Sequence, residues 1–185
     1  MSLTVSNDFE LGKKAPDFNL LNVVSNQFDN LEKLKGAKGT VILFICNHCP
    51  FVIHVNSALV KMANEYQQKG INFIAISSND VENYPQDNPD LMRKVAQDLK
   101  YPFPYLYDET QEVAKAYKAA CTPDIYLFDA VLKAVYHGQL DNSRPGNGIV
   151  VSGTDLKLAM NNLLENKLPI ETSKPSMGCN IKWKV

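Results

Sequence analysis

The apolar run Val41-Ile42-Leu43-Phe44-Ile45 ends directly on Cys46-Asn47-His48-Cys49-Pro50, and a helical pattern starts at that proline. A short run of this kind reads as a strand buried on both faces. Beyond it, Val52, Val55, Leu59, Met62, Ala63 and Tyr66 recur at helical spacing, and Gly70 closes the pattern. The junction therefore places two thiols beside a helix N-terminus, where thiolate is favoured over thiol. Two cysteines three residues apart can close a disulfide or hold a metal, and this setting points to redox chemistry.

The rest of the chain supplies the other layers of an α/β domain. A turn at 11–20 feeds a hairpin over 20–28 and a helical turn at Leu31-Glu32-Lys33-Leu34. A second buried strand spans 71–77, followed by a polar loop and a helix that Asp90 caps and that runs to Leu99. A short strand at 105–107, a helix over 109–119, strands at 125–128 and 134–137, and a last helix over 153–166 complete the pattern. Strands and helices in this order imply a mixed central sheet with helices on both faces.

A length of 185 residues, 45% apolar and 21% charged, fits one ordinary globular domain. A formal net charge of −1, with Arg93 and Arg144 as the only arginines, sets aside nucleic acid and anionic membranes as partners. No apolar run approaches the roughly 18 residues of a membrane span. Residues 1–9 are polar and carry no secretory-signal pattern, with Met1-Ser2-Leu3 read in part as an expression scar. Four cysteines are too few for a disulfide framework and no Asn-x-Ser/Thr site occurs, so a reducing cytoplasm is expected.

Two further motifs carry a resemblance. Leu11-Gly12 with Ala15-Pro16-Asp17-Phe18-x-Leu20 is similar to the opening of alkyl-hydroperoxide-reductase and thiol-specific-antioxidant proteins. Thr122-Pro123-Asp124, ahead of the strand at 125–128, looks like the cis-proline loop that faces a thioredoxin active site. The chain thus resembles the thioredoxin-like superfamily in its peroxiredoxin-like branch, and within it the peroxiredoxin-like 1 group. The resemblance implies a thioredoxin-like fold with an N-terminal extension over residues 1–166, and a tail, 167–185, packed on or beside it. It implies a thiol–disulfide oxidoreductase with no cofactor. Its partners would be a thiol or disulfide protein, a small-molecule thiol or a hydroperoxide, together with an electron-donating thiol system. It also implies that the backbone before a cis Pro123 docks an extended peptide beside the thiolate.

Register assigns the roles. Proline is favoured at the first helical position, which makes Cys49 the cap of the helix. Aligning Phe44 with the aromatic that ends the thioredoxin strand also puts Cys49 on the attacking cysteine, and puts the second thioredoxin cysteine on Val52. The Cys-x-x-Cys pair is therefore displaced by three residues, with Cys49 as nucleophile and Cys46 as the favoured resolver. A disulfide wants Cα atoms about 4.4–6.8 Å apart, whereas three extended residues span about 10 Å, so residues 46–49 must turn tightly. Cys121, Cys179 or an external thiol remain open as partners of Cys49. Ile181 and Trp183 read as the anchor of the tail.

His48, Pro50, Thr122, Pro123, Cys121 and Arg144 are expected to shape the site, with His48 helping to acidify Cys49. His54 and His137 read as surface or packed histidines. A thiol peroxidase acting through Cys49 is the first alternative, although the usual peroxidatic position is Val52 and the usual arginine is replaced by the Thr122-Pro123 region. Copper or zinc held by Cys46, Cys49 and a histidine is the second.

Overall fold

The computed structural model describes residues 3–170 and 172–185; Met1 and Ser2 of the N-terminal stretch and Glu171 of the tail lie outside the described residues. In chain order the elements are β1 (Leu3–Val5), β2 (Asn19–Asn22), β3 (Gln27–Asn30), α1 (Leu31–Leu34), β4 (Gly39–Phe44), α2 (Pro50–Gln67) and β5 (Ile71–Ser77). A 3-10 turn (Pro85–Asp87) then leads into α3 (Pro89–Asp98), β6 (Tyr105–Tyr107), α4 (Glu112–Ala116), β7 (Cys121–Thr122), β8 (Asp124–Asp129), β9 (Ala134–His137), α5 (Thr154–Leu164) and β10 (Met177–Asn180).

Among the described residues the main sheet has the order β3-β2-β6-β5-β4-β8-β9. β4 lies between β5, which runs parallel to it, and β8, which runs antiparallel, so the sheet is mixed. All six residues of β4 are buried, which explains its unbroken apolar run. Alternate side chains serve opposite layers: Val41 and Leu43 pack with α2, α3 and α5, whereas Ile42 and Phe44 pack with α1, α4 and the N-terminal segment. The second layer is rich in aromatics, with Phe9, Phe44, Tyr117, Tyr126 and Phe128 in mutual ring contact. No helix is long and apolar enough to cross a membrane among the described residues.

Local chemistry sets the boundaries. Pro50 starts α2 with Cys49 as N-cap, and Gly70, at φ +91°, supplies the left-handed residue just past its end. The same proline rule moves the start of α3: Asn88 rather than Asp90 is the cap, its Oδ1 accepting from the Leu91 N–H at 3.0 Å, with Pro89 next. The helix expected over 109–119 is shorter than its pattern. Asp108 accepts from the Val113 and Ala114 N–H groups, Gln111 is left-handed, and Lys118 at φ +56° follows the helix.

A second, three-stranded sheet, β1-β10-β7, was not expected from the sequence. It carries the C-terminal segment back to the cysteine junction, with Cys179 paired to Thr122 and Asn180 to Cys121. Ile181 is buried as its anchor, whereas Trp183 is 39% exposed, with the Lys115 ammonium over its ring.

Candidate active site

β4 delivers Cys46 and α2 begins after Cys49, and the turn between them is held from outside by the loop before α3. The Asn47 N–H donates to Asp87 Oδ1 at 2.8 Å and its amide donates to the Gln86 carbonyl at 2.8 Å. Tyr105 on β6 donates its hydroxyl to Asn47 Oδ1 at 3.2 Å. The tight turn brings both sulfurs onto one residue across the sheet. Cys49 Sγ lies 3.1 Å from the Thr122 carbonyl oxygen, and Cys46 Sγ lies 3.4 Å from the Thr122 hydroxyl. The Thr122-Pro123 peptide bond is cis, as the resemblance implied.

Both thiols are buried, with Cys49 showing no exposed surface and Cys46 2%. They are electrostatically opposed. The Cys46 S–H donates to the Cys49 sulfur, and this hydrogen bond does most to pull the Cys49 thiol well below the ordinary range. Burial resists that shift; Cys179, the Thr122 hydroxyl and, last, the Val52 N–H assist it. The Val52 N–H belongs to the helix N-terminus but makes no full cap hydrogen bond to Cys49, so neighbouring thiols outweigh the helix end. The Thr122 carbonyl works against the thiolate, because it accepts only from a protonated Cys49. Cys46 moves upward in turn, first because its hydrogen bond to Cys49 holds the proton, then through burial and the nearby Asp87 carboxylate.

His48 has a different place from the one expected. Its Nδ1 lies 2.7 Å from Asp87 Oδ2, without hydrogen-bond geometry, and its ring stacks on Tyr84. It faces the Cys46 side of the junction, and thiols rather than this imidazole acidify Cys49. Asp87 is the residue that sequence reasoning missed. It is fully buried and also accepts from the Asn79 amide at 2.8 Å, yet its local sequence, a polar loop between two prolines, carries no sign of burial.

The other candidates spread out. Cys121 is turned to the Pro123 carbonyl, 3.7 Å away, and burial pushes its thiol upward. Arg144 lines a cleft beside Pro123 with Phe51 and His54, but its guanidinium is spent on the Asp141 and Ser143 carbonyls and on Gln139. His54 meets Ser143 Oγ at 2.7 Å. His137 pairs with buried Asp124 at 2.8 Å and stacks on Tyr126. The Thr122 edge expected to dock a peptide is taken by β10 of the same chain.

Cysteines at a strand-to-helix junction, answered across the sheet by a cis-proline turn, place this chain in the thioredoxin-like fold. Within that fold it belongs to the AhpC/TSA family, whose model matches residues 11–137. It is similar over its whole length to an uncharacterized conserved protein of Geobacillus kaustophilus, with 59% identity, 97% of that chain covered and a TM-score of 0.97. A hypothetical protein of Sinorhizobium meliloti 1021 is 42% identical over 98% of this chain and 99% of its own, with a TM-score of 0.95. Peroxidoxin BcpB of Mycobacterium tuberculosis shares the fold at 16% identity, covering 86% of this chain and 98% of that one, with a TM-score of 0.63. No curated protein matches.

Proposed function

We propose that the chain is a thiol–disulfide oxidoreductase in which Cys49 attacks and Cys46 resolves. One observation carries this: the turn brings the Cys46 and Cys49 sulfurs together on Thr122, at 3.4 and 3.1 Å, where the Cys46 thiol holds Cys49 below the usual thiol range. Family membership supports thiol redox chemistry in general. The Cys49 thiolate attacks one sulfur of a disulfide RS–SR′, forming a Cys49–SR mixed disulfide and releasing R′S⁻. Cys46 then gives up its proton and attacks Cys49 Sγ, so that the Cys46–Cys49 bond forms and RS⁻ leaves. Two electrons pass from the pair to the substrate, and an external thiol system restores them.

The two steps use opposite states of Cys46. While Cys49 is a thiolate, the hydrogen bond between them keeps Cys46 protonated. Once Cys49 is in a mixed disulfide that charge is gone, and with it the largest cause holding the proton on Cys46. Burial of Cys49 favours a small disulfide or a local opening over a bulky partner. The cytoplasm is the compartment proposed, on the low cysteine count.

The test is intact mass after a substoichiometric oxidant, on wild type, Cys46→Ser and Cys49→Ser. Loss of two hydrogens from wild type, mapped to a Cys46–Cys49 peptide, is expected. A pair that resists oxidation while binding one zinc or copper per chain would contradict it. That outcome would favour the metal reading, for which the ligand atoms of Cys46, His48 and Asp87 lie within 4.8 Å of one another. Hydroperoxide turnover through Cys49 has no arginine in support: Arg144 is spent on the loop that carries it, and Arg93 binds the Val23 carbonyl and Asp90.

A further inference from the structure

The C-terminal segment does more than cover the site. β10 runs antiparallel to β7 with Cys179 opposite Thr122, the residue both active-site sulfurs touch, and its other edge is sealed by β1. The approach is close enough to require glycine at the preceding position. A Cβ on Gly178 would lie 1.9 Å from the Thr122 carbonyl oxygen and 3.3 Å from Pro123 Cδ. The strand is tied on both sides. Upstream, Ser176 Oγ donates to the Gly138 carbonyl at 2.7 Å; downstream, the Ile181 N–H donates to the Ala120 carbonyl at 3.0 Å. Further on, the Lys182 N–H donates to Asn79 Oδ1 at 2.9 Å, and the Lys182 carbonyl accepts from the Gln111 amide at 2.8 Å.

This placement sets Cys179 opposite the residue whose carbonyl Cys49 Sγ touches, in one buried cluster with Cys46 and Cys49, and Cys179 is second only to Cys46 among the groups that lower the Cys49 thiol. Burial, and then its interaction with Cys49, push Cys179 up to about 12, so in the reduced site it keeps its proton. Cys49 Sγ is thus flanked by two thiols. Cys121 differs, being turned to the Pro123 carbonyl.

We propose that Cys179 is a third exchanging thiol, so that Cys49 closes an intrachain disulfide with either Cys46 or Cys179. The proposal rests on Cys49 being the nucleophile, and it names a resolver in addition to Cys46. Starting from a Cys49–SR mixed disulfide, Cys179 loses its proton and attacks Cys49 Sγ; the Cys49–Cys179 bond forms, the Cys49–SR bond breaks, and RS⁻ takes up the proton. Starting from the Cys46–Cys49 disulfide, Cys179 attacks Cys49 Sγ and the electron pair and proton pass to Cys46. This second step is an exchange with no net oxidation. Contact must shorten to an S–S bond of about 2.05 Å in both cases. In the Cys49–Cys179 state the segment that occupies the Thr122 edge is covalently locked there.

The test uses the full chain carrying Cys46→Ser, reduced and then treated with glutathione disulfide, quenched in acid and read by intact mass and unreduced peptide mapping. The expected product has lost two hydrogens, retains no glutathione and yields a Cys49–Cys179 peptide. Adding Cys179→Ala should convert it to a chain that keeps one glutathione on Cys49. If Cys46→Ser alone keeps glutathione on Cys49 while Cys179 stays free to alkylate, or if Cys49 links to Cys121, the Cys179 proposal is overturned and Cys49 as nucleophile stands. If Cys49 takes up no glutathione and forms no disulfide, the nucleophile assignment falls as well. Wild type poised across a series of reduced-to-oxidised glutathione ratios removes any dependence on the variant's folding. Both the Cys46–Cys49 and Cys49–Cys179 peptides are expected there, and absence of the second at every ratio overturns the proposal.

Discussion

Replacing Cys46 by alanine removes the donor that does most to acidify Cys49, and the size of the effect follows from the contacts. A hydrogen bond to a charged group is worth about 1.5–3 kcal/mol, and each pKa unit corresponds to about 1.36 kcal/mol. The shift expected on Cys49 is therefore about 1–2 units upward. A thiol is a weak donor, which favours the lower end. Cys179 and Thr122 remain in place, so Cys49 stays below an ordinary thiol in the variant. Cys46→Ser keeps a hydroxyl donor at the position and should move Cys49 less than alanine does. The assay is the ultraviolet thiolate absorbance of the fully reduced proteins as a function of pH, with Cys49→Ala subtracted to isolate the Cys49 signal. An unchanged Cys49 titration in Cys46→Ala would refute the reasoning, since it would leave Cys179, the Thr122 hydroxyl and the helix end as the sources of the acidity.

Three other outcomes follow from the same structure. Unfolded, a cysteine titrates near about 8.5, whereas folded Cys49 titrates well below, so between those values the unfolded chain binds the extra proton. The Cys49 contribution to the reduced protein's stability should then rise with pH by up to about 1.4 kcal/mol per unit, be complete above about pH 8.5, and fade as pH falls through the folded Cys49 value. Urea midpoints of wild type and Cys49→Ala between about pH 5 and 8 measure this, and the rise with pH should be smaller in the variant. Gly178→Ala forces β10 off the Thr122 carbonyl; a cost of about 1–3 kcal/mol by urea unfolding and faster alkylation of Cys179 are expected. Asp87→Ala strips the acceptor from the part-buried Asn47 N–H and the buried Asn79 amide, about 1–3 kcal/mol for the buried donor and less for the other, measured in the same way.

The junction itself was legible because its signals are local. An apolar run buried on both faces and a proline at the first helical position each carry a nearest-neighbour reason, and β4 and the Cys49 cap follow them, whereas the cis bond at Thr122-Pro123 was expected only through the family resemblance. The second sheet was not legible, since Met177-Gly178-Cys179-Asn180 has neither alternation nor apolar length and becomes a strand only through partners at Leu3–Val5 and Cys121–Thr122. Asp87 was hidden for a related reason: its burial depends on the folding of its loop over Asn47, forty residues away in sequence. His48 shows the limit of adjacency. Next to Cys49 in the chain, it turns to Asp87 and Tyr84, while the donors that matter come from Cys46 and from the far end of the chain at Cys179.

Identity of the attacking sulfur is the point on which everything else depends, and one trapping measurement reads it directly. The full chain with Cys46→Ser and Cys179→Ala, reduced and mixed with glutathione disulfide at neutral pH, lacks both thiols that flank Cys49. Peptide mapping should find one glutathione per chain, on Cys49, with Cys121 unmodified. Glutathione on Cys121 instead, or none on Cys49 under conditions that modify the unfolded chain, would contradict Cys49 as the nucleophile.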